Sequence, residues 1–87
     1  MNTFKLKISS PDGDIYNGDV IKISLRGTEG ELAIMSGHIP FATYVVPCEV
    51  KLDIDENTIK SAKIDGGILN VSSDSAILLS GTFEWIN

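Results

Sequence analysis

One cysteine and one histidine in 87 residues leave little room for metal or redox chemistry. A zinc site needs three or four His, Cys or carboxylate ligands at close spacing, and His38 and Cys48 lie too far apart in the pattern to begin one. Cys48 alone forms no internal disulfide, a usage that fits a reducing compartment, and in an apolar alternation it reads as a small core residue. A Ser-His-Asp arrangement would have to draw on His38, the single imidazole, yet no serine lies in a G-x-S-x-G elbow. No G-x-x-x-x-G-K-[ST] run is present to cradle a phosphate. Lys and Arg number seven against twelve Asp and Glu, for a net charge of −5, and the seven are scattered. Nucleic-acid binding requires clustered cations to displace counterions, so no nucleic-acid partner is expected. No apolar run approaches the roughly 18 residues of a membrane span. Met1-Asn2-Thr3-Phe4-Lys5 also lacks the charged-then-apolar plan of a signal peptide. The expectation is therefore no catalytic residue, no cofactor and no metal, with any membrane association made through a larger complex.

What is present is alternation of period two, the mark of half-buried strands. Phe4, Leu6 and Ile8 alternate with Lys5, Lys7 and Ser9, and Ile21, Ile23 and Leu25 alternate with Lys22, Ser24 and Arg26. Cys48, Val50, Leu52 and Ile54 share a face opposite Glu49, Lys51, Asp53 and Asp55. Turns are expected at Pro11-Asp12-Gly13-Asp14, at Asn17-Gly18 as a strong hairpin signal, at Asp55-Glu56-Asn57, at Gly66-Gly67 and at Ser72-Ser73-Asp74. Ala76-Ile77-Leu78-Leu79 reads as a continuous apolar strand buried on both faces. No stretch carries a capped 3.6-residue apolar stripe. The chain is thus expected to be one all-β domain over residues 1–87, an antiparallel β-sandwich or flattened barrel of two packed sheets, with no C-terminal helical hairpin. At this length about 60–65% of the unfolded surface is buried, and a partner that binds only the folded form adds to a small stability margin.

Two loops stand apart. Gly27-Thr28-Glu29-Gly30-Glu31-Leu32 brackets acids with glycines, and Ser36-Gly37-His38-Ile39-Pro40-Phe41 sets apolar side chains beside a small polar group. Taken plainly, the glycines serve turns and Ile39 and Phe41 cover the end of the core. The alternative is an acidic turn and an oily turn at adjoining spots, gripping a partner. The carboxylate pairs Glu29/Glu31 and Asp53/Asp55 lie at loops and polar strand faces, where solvated carboxylates are the default. A lipoyl- or biotinyl-carrier domain presents one lysine at a hairpin tip, whereas Lys22 and Lys51 fall in mid-strand.

The order of these pieces resembles the N-terminal β-sandwich domain of the F-type ATP synthase ε subunit. The resemblance is carried by Phe4-Lys5-Leu6-Lys7-Ile8-Ser9-Ser10-Pro11, Ile15-Tyr16-Asn17-Gly18-Asp19-Val20, Gly27-Thr28-Glu29-Gly30-Glu31-Leu32-Ala33-Ile34, Gly37-His38-Ile39-Pro40 and Gly66-Gly67-Ile68-Leu69-Asn70-Val71. It implies a non-catalytic central-stalk subunit that sits on the γ subunit and on the polar loops of the c-subunit ring. It implies a peripheral place at the cytoplasmic face of a bacterial cell membrane within the synthase. It places Glu29, Gly30 and Glu31 toward the c-ring and His38, Ile39, Pro40 and Phe41 toward γ. Members of the family usually continue into two C-terminal helices. This sequence stops at Asn87 without a helical pattern, so inhibition and nucleotide sensing are not carried over. The ending Ser80-Gly81-Thr82-Phe83-Glu84-Trp85 matches the family less well, and Trp85 is expected to cover an edge. The rival expectation is a free-standing β-sandwich module that binds a protein or peptide, for instance by strand addition.

Overall fold

The structure, a computed structural model, describes residues 2–86. Ten strands follow one another: β1 (Phe4–Ser10), β2 (Gly13–Val20), β3 (Lys22–Gly27), β4 (Gly30–Met35), β5 (Phe41–Val45), β6 (Cys48–Asp55), β7 (Thr58–Ile64), β8 (Gly67–Val71), β9 (Ser75–Leu79) and β10 (Phe83–Trp85). They hydrogen-bond in the order β10-β7-β6-β3-β5-β8-β9-β1-β2, with β4 on the side of β3. The path folds into two five-stranded halves, β10-β7-β6-β3-β4 and β5-β8-β9-β1-β2. A single β3–β5 pair, Gly27↔Val45, and the Val46 N–H donated to the Arg26 carbonyl at 3.0 Å join them. On the opposite side the Ile21 N–H donates to the Asp53 carbonyl at 2.7 Å and draws the end of β2 toward β6. The result is the expected flattened barrel, measuring 30 × 28 × 24 Å.

Alternation explains the core. Phe4, Leu6 and Ile8 of β1, Ile23 and Leu25 of β3, Val50 and Leu52 of β6, Leu69 and Val71 of β8, and Ala76 and Leu78 of β9 are all buried. Each comes from the inward face of its strand, and these faces together make one cluster. Burial of such side chains, at about 25 cal/mol per Å² of apolar surface, is the main term holding so small a domain together. Cys48 is half-buried and packs against this cluster, as its place in the β6 alternation implies.

Three expectations need correction. The sheet is not wholly antiparallel: β1 and β9 run parallel, Lys5↔Ser75 through Ser9↔Leu79. Parallel pairing needs a long crossover, and seven strands intervene between these two in sequence. Asn17-Gly18 makes no hairpin but lies inside β2, opposite Lys7 and Leu6. The turn between β1 and β2 falls at Pro11-Asp12, closed by Ser10↔Gly13, where Gly13 takes a φ of +128° that side-chain-bearing residues avoid. A β-carbon at Gly18 would sit 3.3 Å from the Tyr16 hydroxyl oxygen, the end of a side chain that can give way. Finally, β9 is buried on one face only, with Ile77 and Leu79 exposed. No sheet or helix among the described residues covers that outer side.

Candidate interaction surfaces

Gly27 and Gly30 pair across the mouth of the β3–β4 hairpin, leaving Thr28 and Glu29 as its two-residue tip. The φ of Gly30, +125°, is the backbone requirement that fixes glycine at that corner. Glu29 and Glu31 are exposed, and neither makes an ion pair among the described residues. Arg26 lies opposite Glu31 in register without closing a salt bridge. The tip is therefore a projecting anionic knob.

The second loop lies at the far end of β4. The register Lys22↔Met35 through Gly27↔Gly30 puts Met35, and the loop that follows it, one full strand length from the hairpin tip. At the ordinary strand rise that is roughly 20 Å. The acidic and oily turns do not adjoin. The loop is also less oily than its composition implies. Phe41 is half-buried against the core, opposite Val71. The His38 imidazole stands edge-on to Phe4, with ring centroids 5.3 Å apart and an interplanar angle of 86°. Both its nitrogens are buried without a hydrogen-bond partner among the described residues. Pro40 is exposed, and Ile39, 81% exposed, is the apolar side chain held out to solvent.

An apolar surface does adjoin the acidic hairpin, on other strands. Tyr44 pairs with Ile68 across β5–β8, and Ile68 with Leu79 across β8–β9, so these three side chains form a row on the outer face. Ala42, Asn70 and Ile77 form the next row. Tyr44 is 69% exposed, and Ile68, Ile77 and Leu79 are exposed with it. The row begins beside the hairpin: a β-carbon on Gly27 would lie 3.4 Å from the Tyr44 carbonyl oxygen. It ends near a shallow hollow of about 410 Å³ between Pro11, Gly67, Ile68 and Leu79. The sequence held a signal for this surface in Tyr44 and Ile68, which alternate with inward residues, but two adjacent leucines in β9 masked the rest.

The other outer face is polar. Lys22 and Asp53 approach to 3.9 Å, and Glu49 and Lys63 lie opposite one another. Beyond Ser24 and Lys51, β3 and β6 diverge around a cleft of about 420 Å³ lined by Arg26, Glu31, Cys48 and Glu49. Two titrations are displaced. Burial, with the Asp19 charge second, pushes the Tyr16 hydroxyl above its usual range. The Asn57 N–H donated to Asp55 at 2.8 Å, with Thr58 helping, holds the Asp55 carboxyl below its own. Trp85 stacks edge-on against Phe83 at 4.9 Å with Lys60 5.2 Å from its ring, on the short edge strand β10. Among the described residues no three His, Cys, Asp or Glu side chains converge as metal ligands.

Known proteins resemble this chain in sequence and in fold. An ATP synthase ε chain of Wolbachia pipientis wMel is 33% identical over 84 residues, covering 97% of this chain and 74% of the relative. The Bacillus licheniformis ε chain is 37% identical over 84 residues, and there the match spans 63% of the relative's length. In fold, a chain from the Euglena gracilis mitochondrial ATP synthase, solved with OSCP, F1 and c-ring, superposes with a TM-score of 0.89 at 19% identity. That match covers 95% of this chain and 53% of the other. The sequence model for the β-sandwich domain of the ATP synthase delta/epsilon chain matches residues 3–86, and to that family this chain belongs.

Proposed function

We propose that the domain is a non-catalytic central-stalk subunit of the F-type ATP synthase, docking on γ and on the polar loops of the c-ring to couple ion-driven rotation to ATP synthesis. The observation that carries this reading is the pairing of an anionic hairpin with an uncovered apolar row on a closed barrel. A monomeric soluble domain seldom leaves such a face bare unless a partner covers it. A densely packed barrel joined along both sides transmits force without deforming, which a coupling element requires. Glu29, Gly30 and Glu31 are assigned to the c-ring. Ile39 and Pro40, with His38 and Phe41 as the buttress beneath them, are assigned to γ. Because the two loops lie at opposite ends, they engage separate parts of the rotor rather than one spot. Within the complex the domain sits at the cytoplasmic face of a bacterial membrane.

The test is co-elution. Mixed with folded γ from the same organism, the chain is expected to shift to the complex in size-exclusion chromatography, and to follow the c-ring when both are present. Separate elution of folded partners would sink the proposal.

A further inference from the structure

The outer edge of β4 is a six-residue strand edge that nothing in the described structure protects. β4 pairs with β3 alone, in an unbroken register from Gly27↔Gly30 to Lys22↔Met35. Proteins blunt such edges with proline, lysine, bulges or very short strands. The edge strand β10 is three residues long, and β2 carries a bulge where it faces Ile8 and Ser9. Apart from the single charge of Glu31, the β4 sequence, Gly30-Glu31-Leu32-Ala33-Ile34-Met35, has none of these devices. In a hairpin with a two-residue tip the closing residues form a hydrogen-bonded pair, and such pairs alternate from there. By that alternation Glu31, Ala33 and Met35 turn their N–H and C=O groups to the open side. Their side chains are exposed on one face, while Leu32 and Ile34 face the interior.

We propose that this edge takes up an extended segment of a partner chain as an added strand, with a Lys or Arg of that segment set against Glu31. The charge pattern selects the occupant. Among the described residues Glu29 and Glu31 close no salt bridge, Arg26 standing opposite Glu31 without reaching it, so a cation on the incoming strand meets exposed carboxylates free to pair. A second copy of this chain is the poorer fit. Parallel pairing in register would stack Glu31 on Glu31, and antiparallel pairing about Ala33 would press each Glu31 against the other copy's Met35.

The proposal rests on the reading of the domain as a docked rotor subunit, and hydrogen exchange separates the two. The probe is the complex formed with γ and the c-ring of the same organism, compared with the free chain. The amides of Glu31, Ala33 and Met35 are expected to exchange freely in isolation and to slow by about tenfold or more in the complex, each gaining one hydrogen bond. A complex that forms with these three amides unchanged overturns strand addition and leaves docking intact. Absence of any complex overturns both. An isolated chain that dimerises with the same amides protected assigns the edge to a second copy and overturns the proposal. The variant Ala33→Pro removes the middle outward N–H and is expected to weaken complex formation about tenfold. If that variant does not fold, the exchange pattern of the unaltered chain still decides.

Discussion

Gly67 opens β8 with its α-carbon pressed against the end of β9. A β-carbon there would run into the Leu79 carbonyl oxygen and lie 3.3 Å from the Ser80 α-carbon, both backbone and neither free to turn aside. Close by, the buried Ser80 hydroxyl lies 2.8 Å from the Gly66 carbonyl and 2.6 Å from that of Thr82, tying the corner to the following segment. Gly67→Ala is therefore expected to cost about 1–3 kcal/mol, the range of forced overpacking, read as a lower urea midpoint at unchanged slope. An unaltered midpoint would mean the corner relaxes freely. Asp55 makes a different kind of contribution. The Asn57 and Thr58 hydrogen bonds favour its charged form in the folded state, so its folded pKa lies below the unfolded one. Stability from this source is present above the unfolded value, near 3.9, and is lost as pH falls through the folded value. Asp55→Asn should flatten the acid limb of a Tm-against-pH curve below about pH 4 and leave its neutral shape unchanged. An acid limb of the original steepness would remove the account. Tyr16 acts at the other extreme. Its raised pKa favours the protonated folded form, so stability declines once pH rises past about 10, where the unfolded chain sheds its proton first.

Strand β9 separates what alternation reveals from what it hides. β6 was legible because its outward positions, Glu49, Lys51, Asp53 and Asp55, are charged, and polar against apolar fixes which side faces the core. In β9 the outward positions Ile77 and Leu79 are as apolar as the inward Ala76 and Leu78. A strand covered on both sides and one bare on a docking side then read the same. Asn17-Gly18 failed for a related reason: a turn signal states what a dipeptide permits, and β2 continues through it because pairing with β1 on one side satisfies the backbone. The alternation of β9 makes a paired prediction. Leu78→Ala empties a fully buried position and is expected to cost about 2–5 kcal/mol of stability. Leu79→Lys, one residue on, should change stability by no more than about 0.5 kcal/mol yet strongly reduce binding to γ or the c-ring, because it places a charge in the Tyr44–Ile68–Leu79 row. If Leu79→Lys bound as well as the unaltered chain, the outer row would not be an interface.

At the scale of the whole molecule, strand order is what the sequence could not disclose. Neighbours in space such as β3 and β5, or β1 and β9, are set by long-range packing, whereas the separation of the acidic and oily turns was legible, since both flank one alternating stretch, Glu31 to Met35, that extends as a strand. Separation has a thermodynamic consequence. Sites more than about 10 Å apart with no shared partners contribute additively, so the binding losses of Glu31→Gln and Ile39→Ala should sum within about 0.5 kcal/mol in the double variant. Adjoining turns gripping one spot would instead show coupling. The two losses should also differ in their response to salt. Glu31 is exposed and closes no salt bridge among the described residues, so its contribution to docking is a screened charge interaction worth at most about 1 kcal/mol, and it should shrink as the Debye length falls from about 10 Å at 0.1 M to about 3 Å at 1 M. Ile39 contributes by burying apolar surface, which added salt does not screen. Titrating complex formation for both variants across that range checks the pair of claims together. A Glu31→Gln loss that persists at 1 M salt would make the hairpin a matter of shape. An Ile39→Ala loss that fades with it would make the far loop electrostatic, which its lack of an exposed charge gives no means to be.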